Sequence, residues 1–237
     1  MAWIEFNGIR SDSVGCIVER FPGTTKPGTR YTANTVPGHF GNIYISDTRE
    51  GFTADYTLNC FGRCEPKDIY RWLDGEGWLV TSDAPELKRY VRFFESVVSS
   101  RARNGRCFDS VTMKAICDPF QILQDETQIN VDGSAVFNGL GDMVTEPLIA
   151  VTGNGGAASV FVNDTTMLFD DLDGVVYIDC ESKQAYTVGD AGELHMFSDV
   201  VIANNADFDR WAKLKPTTNT VLVINCTAEL TPRWRFF

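Results

Sequence analysis

The 237-residue sequence lacks several features that would narrow its function at once. It has no run of 18 or more apolar residues, so no segment is expected to cross a membrane as a helix. Its opening stretch, MAWIEFNGIRSD, shows neither the basic region nor the apolar region of a secretion signal. We therefore expect a protein that stays in the cytosol or leaves the cell by lysis, with no membrane partner.

Basic residues are also scarce. The chain carries 21 Lys and Arg against 32 Asp and Glu, which gives a net charge of −11. Proteins that bind a nucleic-acid backbone rely on clustered Lys and Arg, so this balance argues against DNA as a specifically bound partner. An acidic surface would still let DNA slide past without sticking.

Cysteines are too few and too scattered for a disulfide framework. There are seven, an odd number, and in a reducing compartment they are expected to be small core residues. A zinc site built from Cys60, Cys64, Cys107 and Cys117 would need the tight C-x-x-C spacing that these residues lack. No metal and no cofactor is predicted.

One stretch, RWLDGEGWLV, sets two acids between two indoles, a combination that sugar-cleaving sites use. Asp74 and Glu76 lie between Trp72 and Trp78. A glycosidase holds its two carboxyl groups about 5 to 9.5 Å apart across the bound sugar. Acids two residues apart in a glycine-flanked turn are poorly placed for this role. We therefore predict no catalytic residue here.

The same stretch is better explained as a helix followed by a strand. Pro66 suits the first helical position after Glu65 as N-cap, and Gly75 suits a left-handed helix end. Apolar residues at helical spacing between them predict one buried face. The predicted structural core residues are Trp72, Leu73 and Trp78, together with Trp234 in the terminal PRWRFF.

Two further motifs resemble ligand sites. VTGNGGAAS at 151–159 matches a dinucleotide fingerprint, but the β-branched SVFVND that follows predicts a hairpin rather than the helix that would receive a pyrophosphate. FDDLDG at 169–174 resembles part of a calcium loop without the later bidentate Glu in the required frame, so a β-turn is the simpler interpretation.

Alternation of apolar and polar residues with a period of two predicts a mostly β protein. Strand-sized runs are separated by Gly, Asn, Asp and Pro every 8 to 12 residues, which favours sandwiches or barrels over a parallel α/β sheet. The strand ending in CDPF precedes an acidic, glycine-rich segment. We place a domain boundary there, giving domains 1–118 and 119–237.

A segment near the start, residues 19–41, has three Pro-Gly pairs and few apolar residues. Such a segment is either a loose loop or an arm that becomes ordered against something else. The arm is the predicted subunit interface. Its candidate interface residues are Phe21, Pro22, Lys26, Pro27, Arg30, Tyr31 and Pro37.

Several motifs follow one another in a recognisable order along the chain. One is WLDGEGWLVTSDAPELKRYVRFF, and the others, from start to end, are FNGIRSDSVGCIVE, VPGHFG, MKAICDPF, VFNGLGDMVTEPLIAVTGNG, VVYIDCESKQAY, LKPTTNTVLV and ELTPRWRFF. In this order they resemble the distal tail proteins, or tail-tip hub proteins, of long non-contractile-tailed bacteriophages and prophages, in whose N-terminal domain a helix leads through a glycine turn into a strand.

The resemblance implies a fold and a structural role. The expected fold is an N-terminal β-barrel or sandwich with one α-helix and an extended hairpin arm, followed by a galectin-like β-sandwich. Six copies would form a ring at the virion tail tip, assembled in the host cytoplasm. The ring would join the tail tube protein to tail-tip or tail-fibre proteins and receptor-binding proteins, and DNA would pass through it.

One alternative remains open at this stage. Two β-sandwich domains with exposed aromatic residues could also form a carbohydrate-binding module or a glycosidase. Fold class alone does not decide between these functions.

Overall fold

The computed structural model describes residues 2–23, 27–35, 42–61, 66–94, 98–101, 108–189, 191–204 and 211–237. The structure is 63% strand and 3% helix, so the mostly β prediction is confirmed. The chain divides into two compact units, unit 1 (residues 1–124 and Phe237) and unit 2 (residues 125–236). No helix in the described ranges is long and apolar enough to span a membrane.

The described residues of unit 1 form one helix, one large antiparallel sheet and a separate two-stranded sheet. The elements in chain order are β1 (Ile4–Phe6), β2 (Ile9–Arg10), β3 (Cys16–Arg20), β4 (Thr29–Thr35), β5 (Asn42–Arg49), β6 (Phe52–Cys60), α1 (Pro66–Trp72), β7 (Gly75–Thr81), β8 (Ala84–Phe93), β9 (Val98–Arg101) and β10 (Phe108–Leu123). Within the sheet the strand order is β2-β1-β7-β8-β10-β6-β3, and β9 also pairs with β10.

The core of unit 1 lies between one face of this sheet and α1. Alternate residues of β6 and β10 point inward and are buried, among them Tyr56, Leu58, Val111 and Met113. Ile69 on α1 is fully buried against the same cluster. The period-two pattern of the strands and the apolar face of the helix therefore produce one shared core.

Unit 2 is a second unit whose described residues include strands but no helix. Its strands are β11 (Ile129–Asn138), β12 (Leu148–Asn154), β13 (Ala158–Val162), β14 (Thr165–Phe169), β15 (Asp173–Asp179), β16 (Gln184–Val188), β17 (Leu194–Met196), β18 (Val200–Asn204), β19 (Thr218–Thr231) and β20 (Arg235–Phe236). The sheet order is β17-β16-β15-β12-β19-β13-β14-β18, and β11 pairs with β19.

The glycine-rich motif that resembled a dinucleotide fingerprint leads into a hairpin. β13 pairs with β14 from Ala158↔Phe169 to Val162↔Thr165, which leaves Asn163 and Asp164 as a two-residue turn. Asn163 has a φ of +51°, as a turn between twisted strands requires. The hairpin prediction is confirmed, since no helix begins in this described segment.

The predicted boundary at residue 118 falls within a strand. β10 continues to Leu123, and the two units divide after Gln124. Pro119, which suggested a strand end, lies where the pairing of β10 with β8 shifts register between Cys117 and Gln121. A β-bulge tolerates a proline because its backbone nitrogen is not needed for the ladder.

Candidate assembly surfaces

The predicted arm contains a β-hairpin. β4 and β5 pair from Thr29↔Arg49 to Thr35↔Asn42 and form a two-stranded sheet separate from the large sheet of unit 1. The arm is therefore longer than the proline-glycine segment, because its second strand is the apolar run NIYIS and the residues after it. Neither strand pairs with any other strand among the described residues.

The base of this hairpin is fixed by hydrogen bonds. The Arg49 guanidinium donates to Thr29 Oγ1 at 2.6 Å and to the Pro27 carbonyl at 3.4 Å. The backbone NH of Glu50 donates to the Gly28 carbonyl at 2.9 Å. These contacts join the start of β4 to the end of β5, the end of the hairpin that connects to β3 and β6.

The candidate interface residues of the arm fall into two groups. Phe21 packs against the core of unit 1 and Pro27 is buried, so these residues anchor the start of the segment within its own unit. Pro22 is half-buried, Arg30 is exposed, and Tyr31 lies on β4 opposite Ser46. Two further candidates, Lys26 and Pro37, lie outside the described residues.

The start of the helix matches the sequence pattern, whereas the helix ends at Trp72, three residues before the predicted stop at Gly75. α1 begins at Pro66, and Gly75 has a φ of +89°, a left-handed conformation that favours glycine. Trp72 and Leu73 are buried, and the Trp72 indole NH donates to the Ile9 carbonyl at 3.1 Å. The proposed N-cap, Glu65, lies outside the described residues.

Trp78 is not a core residue, contrary to the sequence-based prediction. Its side chain is 40% exposed, because on β7 it points away from the face that carries Leu79. The indole packs edge-on against Tyr90, with ring centroids 5.3 Å apart, and Lys88 Nζ lies 5.2 Å from its centroid.

The outer face of β7 and β8 thus presents aromatic and basic side chains. Arg92 stacks over Tyr90 at 5.0 Å and forms ion pairs with Glu76 at 3.3 Å and Asp118 at 2.6 Å. Trp, Tyr and Arg are the residue types that most often dominate protein interfaces. We name Trp78, Lys88, Tyr90 and Arg92 the β7–β8 face.

The two acids of the glycosidase hypothesis do not face each other across a cleft. Asp74 is exposed in the turn after α1, and Glu76 is exposed on β7, where it pairs with Arg92. The carboxylate of Glu76 therefore stabilises the β7–β8 face.

The cysteines considered as zinc ligands are also separated. Cys117 lies opposite Phe52 at one end of the β6–β10 ladder, while Cys60 follows Asn59 at the other end. Phe52 and Cys60 are eight positions apart on β6, which corresponds to roughly 26 Å, too far for two ligands of one ion. Cys64 and Cys107 lie outside the described residues, and within the described ranges no three His, Cys, Asp or Glu side chains are placed to hold a metal ion.

Residues 232–236 of the terminal PRWRFF segment are held in unit 2 by burial and by ion pairs. Trp234 is 3% exposed. Arg233, with a φ of +55°, binds Asp179, and Arg235 binds Glu181 at 2.8 Å. Sequence reasoning singled out the tryptophan but missed the two arginines, since their partners lie more than fifty residues earlier.

An open groove of about 350 Å³ lies on unit 2. Its lining includes Gln184, Met196, Phe197 and Trp211. It thus combines aromatic rings with an amide that can both donate and accept hydrogen bonds.

This arrangement of two β units, the first with one helix and a separate hairpin, is the fold of a phage tail hub protein. The SPP1 Dit protein, described as a paradigm of the hub adsorption apparatus of phages that infect Gram-positive bacteria, shares it with a TM-score of 0.69 and 16% identity. The match covers 97% of both chains.

Two structures of the phage P2 baseplate in its activated conformation are more distant. The one with Ca has a TM-score of 0.47 and 10% identity, with all of both chains covered. The one with Sr has a TM-score of 0.46 and 11% identity, with 97% of both chains covered. No protein-family model and no curated protein sequence matches the chain.

Proposed function

We propose that this protein is a structural component of a phage tail tip and has no enzymatic role. Six copies form a ring that joins the tail tube to the tip or baseplate and to receptor-binding proteins. The observation that carries the proposal is the shared fold with SPP1 Dit over 97% of both chains. The domain roles follow from it: unit 1 forms the ring, and unit 2 is a galectin-like domain that faces the other tip proteins.

Two features of the chain support an assembly role. The β4–β5 hairpin is a ladder of its own, and two-stranded hairpins are at best marginally stable in water unless something packs on them. A neighbouring subunit would supply that packing and cover the hairpin's open edges. The β7–β8 face provides a second surface, rich in the side chains that interfaces favour.

The net charge of −11 per chain suits a conduit for DNA. Repeated around a ring, it repels a phosphate backbone and keeps passing DNA from sticking, provided that acids face the opening. Virion assembly in the host cytoplasm is consistent with the scattered cysteines.

Electron microscopy of the purified protein tests the proposal directly. We expect rings with a central hole, and a mass of about 158 kDa by light scattering for six chains of 26.4 kDa each. A protein that stays monomeric at micromolar concentration, alone and after mixing with its tail tube protein, would contradict the ring.

The open groove on unit 2 favours a second candidate function, carbohydrate binding. Its test is the binding of host-wall polysaccharide to the protein and to the Trp211→Ala variant. Saturable binding that the variant loses, together with an absence of rings, would favour the carbohydrate-binding function over the hub.

A further inference from the structure

Two cysteines face each other across neighbouring strands of unit 1. Cys16 on β3 and Cys60 on β6 are direct register partners, and their Sγ atoms lie 3.6 Å apart. Beside them, the NH of Phe61 donates to the Gly15 carbonyl at 2.9 Å, while the NH of Cys16 points away from β6 to the Ser11 carbonyl at 2.8 Å. Cys16 and Cys60 therefore occupy a pair position without mutual hydrogen bonds, where opposed side chains approach most closely.

This position suits a disulfide. Opposed residues of this kind have Cα atoms about 4.5 Å apart, at the lower end of the range of about 4.4 to 6.8 Å that disulfides span. A disulfide has an S–S distance of about 2.05 Å, so the two sulfur atoms need to approach by only about 1.6 Å. Cys16 is fully buried and Cys60 is half-buried, so an oxidant in solution reaches Cys60 first.

We propose that Cys16 and Cys60 are a redox pair that closes into an intramolecular disulfide when the protein meets a small-molecule disulfide such as oxidised glutathione. The Cys60 thiolate attacks one sulfur of the oxidant, forms a mixed disulfide and releases one small thiol. Cys16 then attacks the Cys60 sulfur and releases the second small thiol. The two protein thiols lose two electrons and two protons, which the oxidant takes up.

The other described cysteines are poorly suited to compete. Burial raises the pKa of Cys117 to about 11 and that of Cys180 to about 12, so both remain thiols at neutral pH. The Cys226 thiol also has a raised pKa, chiefly because of burial, and it donates to the Ser159 carbonyl at 3.6 Å. Thiolates are the species that attack disulfides, so exchange at these three positions is slow.

The disulfide would join the two ends of the segment that carries the hairpin. The closed loop runs through residues 17–59 and contains all of β4 and β5. Closing a loop of this length restricts the unfolded chain, which stabilises the folded unit. A disulfide at this position would therefore resist the unfolding of β3 and β6, the strands from which the arm extends.

Peptide mapping of the oxidised protein tests this inference, and the result does not depend on any role in a tail. The full chain is reduced, transferred to oxidised glutathione, alkylated and digested with trypsin. We expect the peptide SDSVGCIVER, residues 11–20, linked to EGFTADYTLNCFGR, residues 50–63. Cys64 falls in a separate peptide, CEPK, so a link to it is distinguishable. The Tm of unit 1 should rise by about 10 °C on oxidation.

Matched variants complete the test. Cys60→Ser and Cys16→Ser should each lose both the linked peptide and the rise in Tm, while Cys226→Ser should keep both. If Cys16→Ser does not fold, the half-buried Cys60→Ser carries the comparison. A glutathione adduct that persists on Cys60, or a link from Cys60 to any other cysteine, would overturn the pairing, as would an oxidised protein with all its thiols intact.

Discussion

The Arg233 guanidinium forms a bidentate ion pair with the Asp179 carboxylate, donating from Nη1 to Oδ1 at 2.7 Å and from Nη2 to Oδ2 at 3.3 Å. Partial burial alone would raise the pKa of the carboxyl group. Hydrogen bonds from Arg233 and from the backbone NH groups of Ser182 and Glu181 outweigh burial and lower the pKa of Asp179 below its usual value. The segment before the terminal strand is thus fixed to the turn after β15.

The first prediction concerns this pair and its dependence on pH. Arg233→Ala should lower the free energy of unfolding of unit 2 by about 1 to 2 kcal/mol at pH 7, because it removes charge-assisted hydrogen bonds to a largely buried carboxylate. The folded pKa is below that of an unfolded Asp, about 3.9, so the contribution is present above this value and is lost as pH falls through the folded pKa.

Calorimetry at pH 7, 4 and 3 checks this prediction. The gap in Tm between the parent and Arg233→Ala should narrow as the pH falls below about 4. Lys215→Ala is a suitable control, since Lys215 pairs with Asp164 at 3.1 Å on the surface and its loss should cost at most about 1 kcal/mol. A gap that is the same at pH 3 and pH 7 would show that Arg233 acts through packing alone.

The second prediction compares two tryptophans of unit 1. Trp72→Ala should destabilise the unit by about 3 to 5 kcal/mol, because the indole is 6% exposed and its NH is bonded to the Ile9 carbonyl. Trp78→Ala should cost roughly 1 kcal/mol, since it removes a half-exposed ring and its contacts with Tyr90 and Lys88. Urea denaturation of both variants measures the difference; equal losses would refute the assignment of Trp78 to the surface.

The third prediction is that Asp74 and Glu76 have no catalytic role. Changing them to Asn and Gln should alter the free energy of unfolding by no more than about 0.5 kcal/mol, because both are exposed and Glu76 loses only a surface ion pair. The assay is release of reducing sugars from host-wall polysaccharide. Activity in the parent that disappears in the double variant would mean that the site is a glycosidase after all.

The fourth prediction is that the β4–β5 hairpin holds neighbouring subunits of the proposed ring together. Replacing residues 31–47 with a short Gly-Ser linker keeps the hydrogen bonds of Arg49 with Pro27 and Thr29. Each subunit should stay folded by circular dichroism, while light scattering should show a shift from rings towards monomers. A folded variant that remains wholly hexameric would show that the hairpin does not hold the subunits together. An unfolded variant would show that the hairpin is part of the core of unit 1.

A pair of charge reversals refines the test. Arg30→Glu changes an exposed residue of the hairpin and should weaken rings if the arm lies on an acidic neighbour. Arg20→Glu is the matched control, because Arg20 is also exposed but lies on β3 in the unit's own sheet. If both changes weaken the rings equally, the cause is the overall charge of the subunit and not a contact made by the arm.

Local chemistry was enough to predict several elements from the sequence. Pro66 begins α1, because a proline suits the first helical turn, and Gly75 at the start of β7 has the left-handed conformation that favours glycine. Asn163 and Asp164 form the turn of the β13–β14 hairpin for a similar reason. In each case the residues that decide the conformation lie within a few positions of one another.

The sequence by itself therefore determined the mostly β class, the helix and the alternation of buried and exposed residues. The tertiary structure alone decided which face of β7 is covered, and this leaves Trp78 exposed. It also decided that β10 continues past Pro119 through a bulge. It also decided that Cys16 lies opposite Cys60 and that Arg233 binds Asp179. These contacts join residues 44 and 54 positions apart, and the register that creates them is set by the packing of whole sheets, which no local pattern encodes.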